Sequence, residues 1–186
     1  QQVYINDIKH LVRPLVTVGA KAYHIGREKN NRFKEITRRN IADLPSMSTL
    51  LLSFGEIDCR WDEGILAAAK KANKSWQDIA LETVTLYLKW IINECQKYKH
   101  KPYFLTIPAP LDSSHYSQFK NQERSEVTKL FNEIIRTECQ KLEAEYIDIY
   151  KWTLVDSLRS NGKFHCDGIH LNTRVFTKIK RRLIHC

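Results

Sequence analysis

No apolar run in the 186 residues approaches the roughly 18 needed to cross a bilayer, and no secretory apolar segment stands at the start. Those absences exclude a helical membrane span and point to a soluble chain with no membrane partner. There is no internal repeat, low-complexity stretch or linker, so residues 1–186 read as one domain. Cysteine is sparse and odd in number: Cys59, Cys95, Cys139, Cys166 and Cys186 are irregularly spaced and include no CxxC pair. A disulfide framework and a zinc site are therefore not expected, and a reducing, cytoplasmic compartment is. Met47 is the only methionine and the chain opens Gln1-Gln2, which suggests a processed, trimmed or fragmentary product.

Hydrophobic residues at 42% and charged residues at 27% describe an ordinary globular domain. The formal charge of +9 allows an acidic partner. Lys and Arg are nevertheless dispersed, apart from Arg38-Arg39 and the cluster Lys178, Lys180, Arg181, Arg182. The latter falls near the end of an expected helix, where cations favour the dipole. Nucleic acid is not the expected partner.

Four apolar, β-branched runs end at or near turn residues and predict buried strands: Leu15–Val18, Leu50–Phe54, Tyr103–Ile107 and Tyr146–Tyr150. Val3-Tyr4-Ile5 is a weaker fifth. Between them, apolar residues recur at helical spacing over 75–99 and 123–145. Cys95 and Cys139 fall on the apolar faces. Ser75 is the expected N-cap of the first helix, residues 111–126 are expected to be mostly loop, and a last helix runs from about Thr173 to Ile184 behind Asn172. Strands alternating with helices predict an α/β fold, a doubly wound parallel sheet covered on both faces in three layers. Ligands bind beyond the carboxyl ends of such strands. Attention therefore falls on the loops at Gly19, Gly55–Asp58, Pro108–Pro110 and the stretch ending in Asp167 and His170.

In Asp167-Gly168-Ile169-His170 a tight turn can let the carboxylate fix the imidazole tautomer while the other ring nitrogen faces a nucleophile. Gly55-Glu56-Ile57-Asp58-Cys59-Arg60 concentrates charge at a strand end. It can form a pocket wall, or an Asp58–Arg60 or Glu56–Arg60 ion pair that pins the loop.

Together, Ser-Phe-Gly-Glu-Ile-Asp-Cys-Arg at 53–60 and Phe-His-Cys-Asp-Gly-Ile-His-Leu at 164–171 resemble a bacterial subgroup of the SGNH (GDSL-type) hydrolases linked to polysaccharide metabolism. Gly55–Asp58 stands for the family's Gly-x-Asn-Asp block and Asp167–His170 for its Asp-x-x-His block, over a resemblance from about Leu15 to the C-terminus. The resemblance implies a flavodoxin-like three-layer fold and a Ser-His-Asp esterase or O-acyl-transfer domain acting on acylated saccharides or small esters, without a cofactor or metal. His170 would be the base and Asp167 its orienter. Gly19 (with Gly26 as fallback) and Gly55 would serve the oxyanion, with Glu56, Asp58 and Arg60 lining the substrate side.

Two departures stand out. Ile57 replaces the oxyanion-donating Asn, and loss of such a donor typically slows reaction about 100- to 1,000-fold. No Gly-Asp-Ser is present. Either Val3–Ile5 is the first strand and Asn6-Asp7-Ile8 a decayed block, making an inactive glycan- or protein-binding module, or the nucleophile lies upstream of Gln1. Ser53 is expected to be a packed hydroxyl, and Cys59 and Cys166 buried structural thiols. A metal held by His165, Cys166, Asp167 and His170 is the lesser alternative.

Overall fold

The computed structural model describes the backbone of residues 2–5 and 8–184 and the side chains of residues 9–183. Asn6, Asp7 and Cys186 lie outside the described residues. The element order is β1 (Gln2–Ile5), β2 (Ile8–Leu11), α1 (Ala22–Gly26), α2 (Arg32–Ala42), β3 (Thr49–Leu52), α3 (Ile65–Ala72), α4 (Trp76–Gln96), β4 (Lys101–Leu105), α5 (Gln118–Lys141), β5 (Glu145–Ile147), α6 (Ile149–Thr153) and α7 (Arg174–Ile184), with a 3-10 turn at Ile57–Cys59.

The chain is mixed α/β around a parallel sheet of order β3-β4-β5. Alternation along β4 divides the core. Phe104 faces a large cluster with Leu50, Leu52, Val84, Leu88, Ile91, Phe131 and Ile135, the apolar faces of α4 and α5. Tyr103 and Leu105 face a smaller cluster with Ile147, Phe164, Val175 and Ile179, which brings in α7. The large cluster thus joins α4 and α5 to the sheet and the smaller one joins α7, and the expected α/β class with a parallel sheet is what forms.

Local chemistry sets the boundaries. Ser75 caps α4 by accepting the Asp78 N–H at 3.3 Å, and Asn172 accepts the Arg174 N–H at 3.0 Å ahead of α7. Helix α5 begins at Gln118 rather than Glu123, because Ser117 caps it through the Lys120 N–H, so much of the expected loop is helical. The strand expected over 146–150 ends at Ile147. Asp148 there accepts the Lys151 N–H and starts α6.

Two strand expectations are corrected. Residues Leu15–Val18 form no strand: Val16 and Val18 are 70% and 82% exposed, and β3 has no strand on the side away from β4 among the described residues. Their apolarity is real but lacks a ladder partner. Val3–Ile5 is a strand, yet it pairs antiparallel with β2 in a separate two-stranded sheet, so it is not the first strand of the parallel sheet. Helices α1, α2, α3 and α6 were not foreseen. Asn31 caps α2 by accepting the Phe33 and Lys34 N–H groups, a signal hidden in a run of charged residues.

Candidate functional site

The Asp167–His170 turn is built by its own carboxylate. Asp167 Oδ1 accepts the Ile169 and His170 backbone N–H groups at 2.7 and 2.6 Å, an Asx-type closure. The other oxygen, Oδ2, lies 2.7 Å from His170 Nδ1. The His170 N–H, the imidazole and the Ile169 N–H hold the Asp167 carboxyl well below the usual carboxylate range. An ionised carboxylate can only accept, so Nδ1 carries the proton, and in the neutral ring Nε2 presents a lone pair outward. Among the described residues Nε2 has no partner, and the imidazole is well exposed. Strand-like bonds secure the base of the turn: Cys166 N–H to His170 O at 2.9 Å and Asn172 N–H to Phe164 O at 2.8 Å. Phe164 and Leu171 anchor it in the smaller cluster.

At the end of β3, Gly55 sits buried with φ +118°, and a Cβ there would meet the Phe131 ring at 2.6 Å and Ile107 at 2.9 Å. Asp58 is buried and its carboxylate accepts the Ala22 and Tyr23 N–H groups at 2.7 and 3.1 Å, capping α1. Burial, only partly offset by those bonds and by Lys21, raises its pKa from 3.8 to about 6. Of the two alternative ion pairs for this loop, Asp58–Arg60 does not form. Arg60 instead grips Glu56, with Nε 3.0 Å and Nη2 2.8 Å from Oε2, and its Nη1 reaches Glu63 at 2.7 Å. The Glu56–Arg60 ion pair is therefore the one that forms.

Buried Arg124, on the first turns of α5, links the loops. Its guanidinium lies 3.6 Å from Glu56 and donates to Leu111 O at 3.3 Å. Its charge also opposes protonation of His165, whose pKa is lowered first by burial and then by Arg124, against the pull of Asp167. Farther along the same edge, Ser160 N–H donates to Pro110 O at 3.0 Å, Thr153 Oγ1 accepts the Ala109 N–H at 2.8 Å, and Arg159 pairs with Asp112 at 3.1 Å. Asp58 and a Lys21 bond to Glu63 O join the Gly19 loop to the same group. The four loops singled out in the sequence are thus linked in series, although the first follows no strand. His170 makes no hydrogen bond or ion pair with Gly19, Gly55, Glu56, Asp58 or Arg60; its side-chain partner among the described residues is Asp167.

Gly19 is exposed, with φ +70°. The N–H groups of residues 20–23 are all engaged, by Thr17 O, His24 Nδ1 and Asp58, whereas that of Gly19 has no partner among the described residues. Gly26 is a packing glycine: a Cβ there would meet the α4 backbone at Tyr87 at 2.9 Å. Ser53 is exposed rather than packed, because β3 stops at Leu52. Cys59, Cys95 and Cys139 are buried, and burial pushes their thiols up. Cys166 is exposed, contrary to expectation, since it sits on the solvent side of the turn. No group of three or more His, Cys, Asp or Glu side chains converges as a metal site among the described residues.

Sequence reasoning missed Arg124. Its signal was a stripe of polar residues, Asn121, Arg124, Ser125, Thr128 and Asn132, at helical spacing on the buried face of α5. Trp61 also went unremarked; its indole N–H donates to Glu123 at 2.7 Å and Lys120 lies over its ring at 4.0 Å, fastening the β3 loop to α5. Comparison with family models and with curated proteins returned no match for this chain.

Proposed function

We propose that residues 1–186 form the base-bearing part of an SGNH-type serine esterase or O-acyl-transfer domain, three-layered and doubly wound, that acts on acylated saccharides or small esters. The Asp167–His170 pair carries this reading. A carboxylate that fixes Nδ1–H and leaves Nε2 free and exposed is the arrangement a general base needs to activate a hydroxyl. The unpartnered Gly19 N–H is an available oxyanion donor, and Arg124 with the Glu56–Arg60 pair supplies a fixed polar wall. This reading requires a serine nucleophile from polypeptide outside these residues.

Ile57 supports a second reading, an inactive module of the same family that binds glycan or protein, since it offers no side-chain donor where the resemblance expects Asn. A fluorophosphonate probe separates the two. Under the first reading it labels a serine in the natural polypeptide containing residues 1–186, and His170→Ala abolishes labelling. A folded natural polypeptide that takes no label rejects the hydrolase reading.

A further inference from the structure

Beside β3 the fold leaves a slot. The groove has a volume of about 1070 Å³ and is floored by Thr49–Leu52. One wall is α2, with Thr37 and Ile41, and the other is α7, with Phe176 and Leu183. These helices belong to opposite faces of the sheet: Ile41 lies in the large core cluster, and Leu183 packs on the smaller one. The slot therefore occupies the sheet layer itself, at the place of the next strand.

Two further observations describe its occupant. Lys101 N–H donates to Ser48 O at 2.9 Å, so alternation along β3 turns the backbone groups of Thr49 and Leu51 away from β4. Those outward groups have no strand partner among the described residues. In addition, the four most exposed large apolar side chains described are Val18, Leu11, Met47 and Val16, at 82%, 77%, 71% and 70%. Leu11, Met47 and Val16 line the slot, and Val18 is two residues beyond Val16. Among the described residues, the most exposed apolar side chains are concentrated here.

We infer that the slot beside β3 takes one additional β-strand from a segment of the same polypeptide outside residues 1–186. Only a peptide backbone offers donors and acceptors at the spacing of a strand edge, about 4.8 Å away. A second copy of the chain would bring its own covering helices against α2 and α7, whereas a lone strand enters between them. A strand enclosed by both helical layers is an interior part of the fold. Tethering it in the same chain avoids the entropy of association. The inference rests on the open edge and stands apart from the esterase reading.

Amide hydrogen exchange tests it, with the Leu52 amide as the internal control for an intact β3–β4 ladder. In residues 1–186 alone, the Leu51 amide should exchange freely while that of Leu52 is protected. In the natural polypeptide containing these residues, exchange at Leu51 should slow on the order of 100-fold or more. Val16→Lys, at an exposed slot residue, should partly restore exchange there. Protection of Leu51 in residues 1–186 alone, or free exchange in the natural polypeptide, would overturn the inference. So would protection that fades on dilution, which would assign the strand to another molecule. Slowed exchange without fluorophosphonate labelling would leave the added strand standing and remove the esterase reading.

Discussion

The Asp167 carboxylate divides its two oxygens between backbone and side chain: Oδ1 takes two N–H groups and Oδ2 faces His170 Nδ1 at 2.7 Å. In Asp167→Asn the carbonyl oxygen should keep the backbone pair, which leaves the amide NH₂ facing the ring. Nδ1 must then accept, and the proton moves to Nε2. Nitrogen NMR of His170 should report the tautomer exchange. Under the esterase reading, kcat of the natural polypeptide should fall by about 10⁴, as for a base in the wrong tautomer. An unchanged His170 tautomer would show that the carboxylate does not set it.

Asp58 should make stability depend on pH. Its folded pKa of about 6 lies above the ordinary 3.8, so the native state binds the proton more tightly than the unfolded chain. Its contribution is fully present below 3.8 and is lost as pH rises through about 6. The shift corresponds to about 3 kcal/mol as an order of magnitude. The stability of the parent relative to Asp58→Asn, measured by urea unfolding from pH 4 to 7, should decline across that window. A flat difference would contradict the buried cap.

Arg124→Met should remove the charge that opposes His165 protonation, and the His165 NMR titration should shift upward. Glu56 retains Arg60 as a partner, so the loss of stability should be moderate, about 1–3 kcal/mol. A titration that stays in place would show that burial alone depresses His165.

Gly55→Ala should destabilise by about 2–4 kcal/mol, since it combines a strained positive φ with a Cβ against Phe131 and Ile107. Gly19→Ala has no such neighbour and should suffer only the milder backbone strain. Equal losses at the two positions in chemical denaturation would refute the distinction.

The sequence displayed what rests on local periodicity and capping. Ser75, Asn172 and the apolar stripes of α4 and α5 mark their helices because the cap and the burial pattern both lie within a few residues. The Asp167–His170 turn was legible for the same reason. Leu15–Val18 misled because apolar alternation reports a wish for burial and not the presence of a pairing strand. The sequence offered Arg60 either Asp58 or Glu56 and could not choose, because what removes Asp58 from the choice is the N–H groups of a helix 35 residues away. Arg124 depends on partners in three separate segments, and no local pattern encodes that.

Asn132 shows how far β4's influence reaches beyond its last ladder residue. Its side-chain amide accepts the Ile107 N–H at 2.7 Å and donates to Ile107 O at 2.8 Å, doing for this residue what a neighbouring strand would do. The peptide group after the strand is thereby clamped to α5. The Pro108–Pro110 shelf therefore starts from a fixed point on the helix rather than from a free strand end.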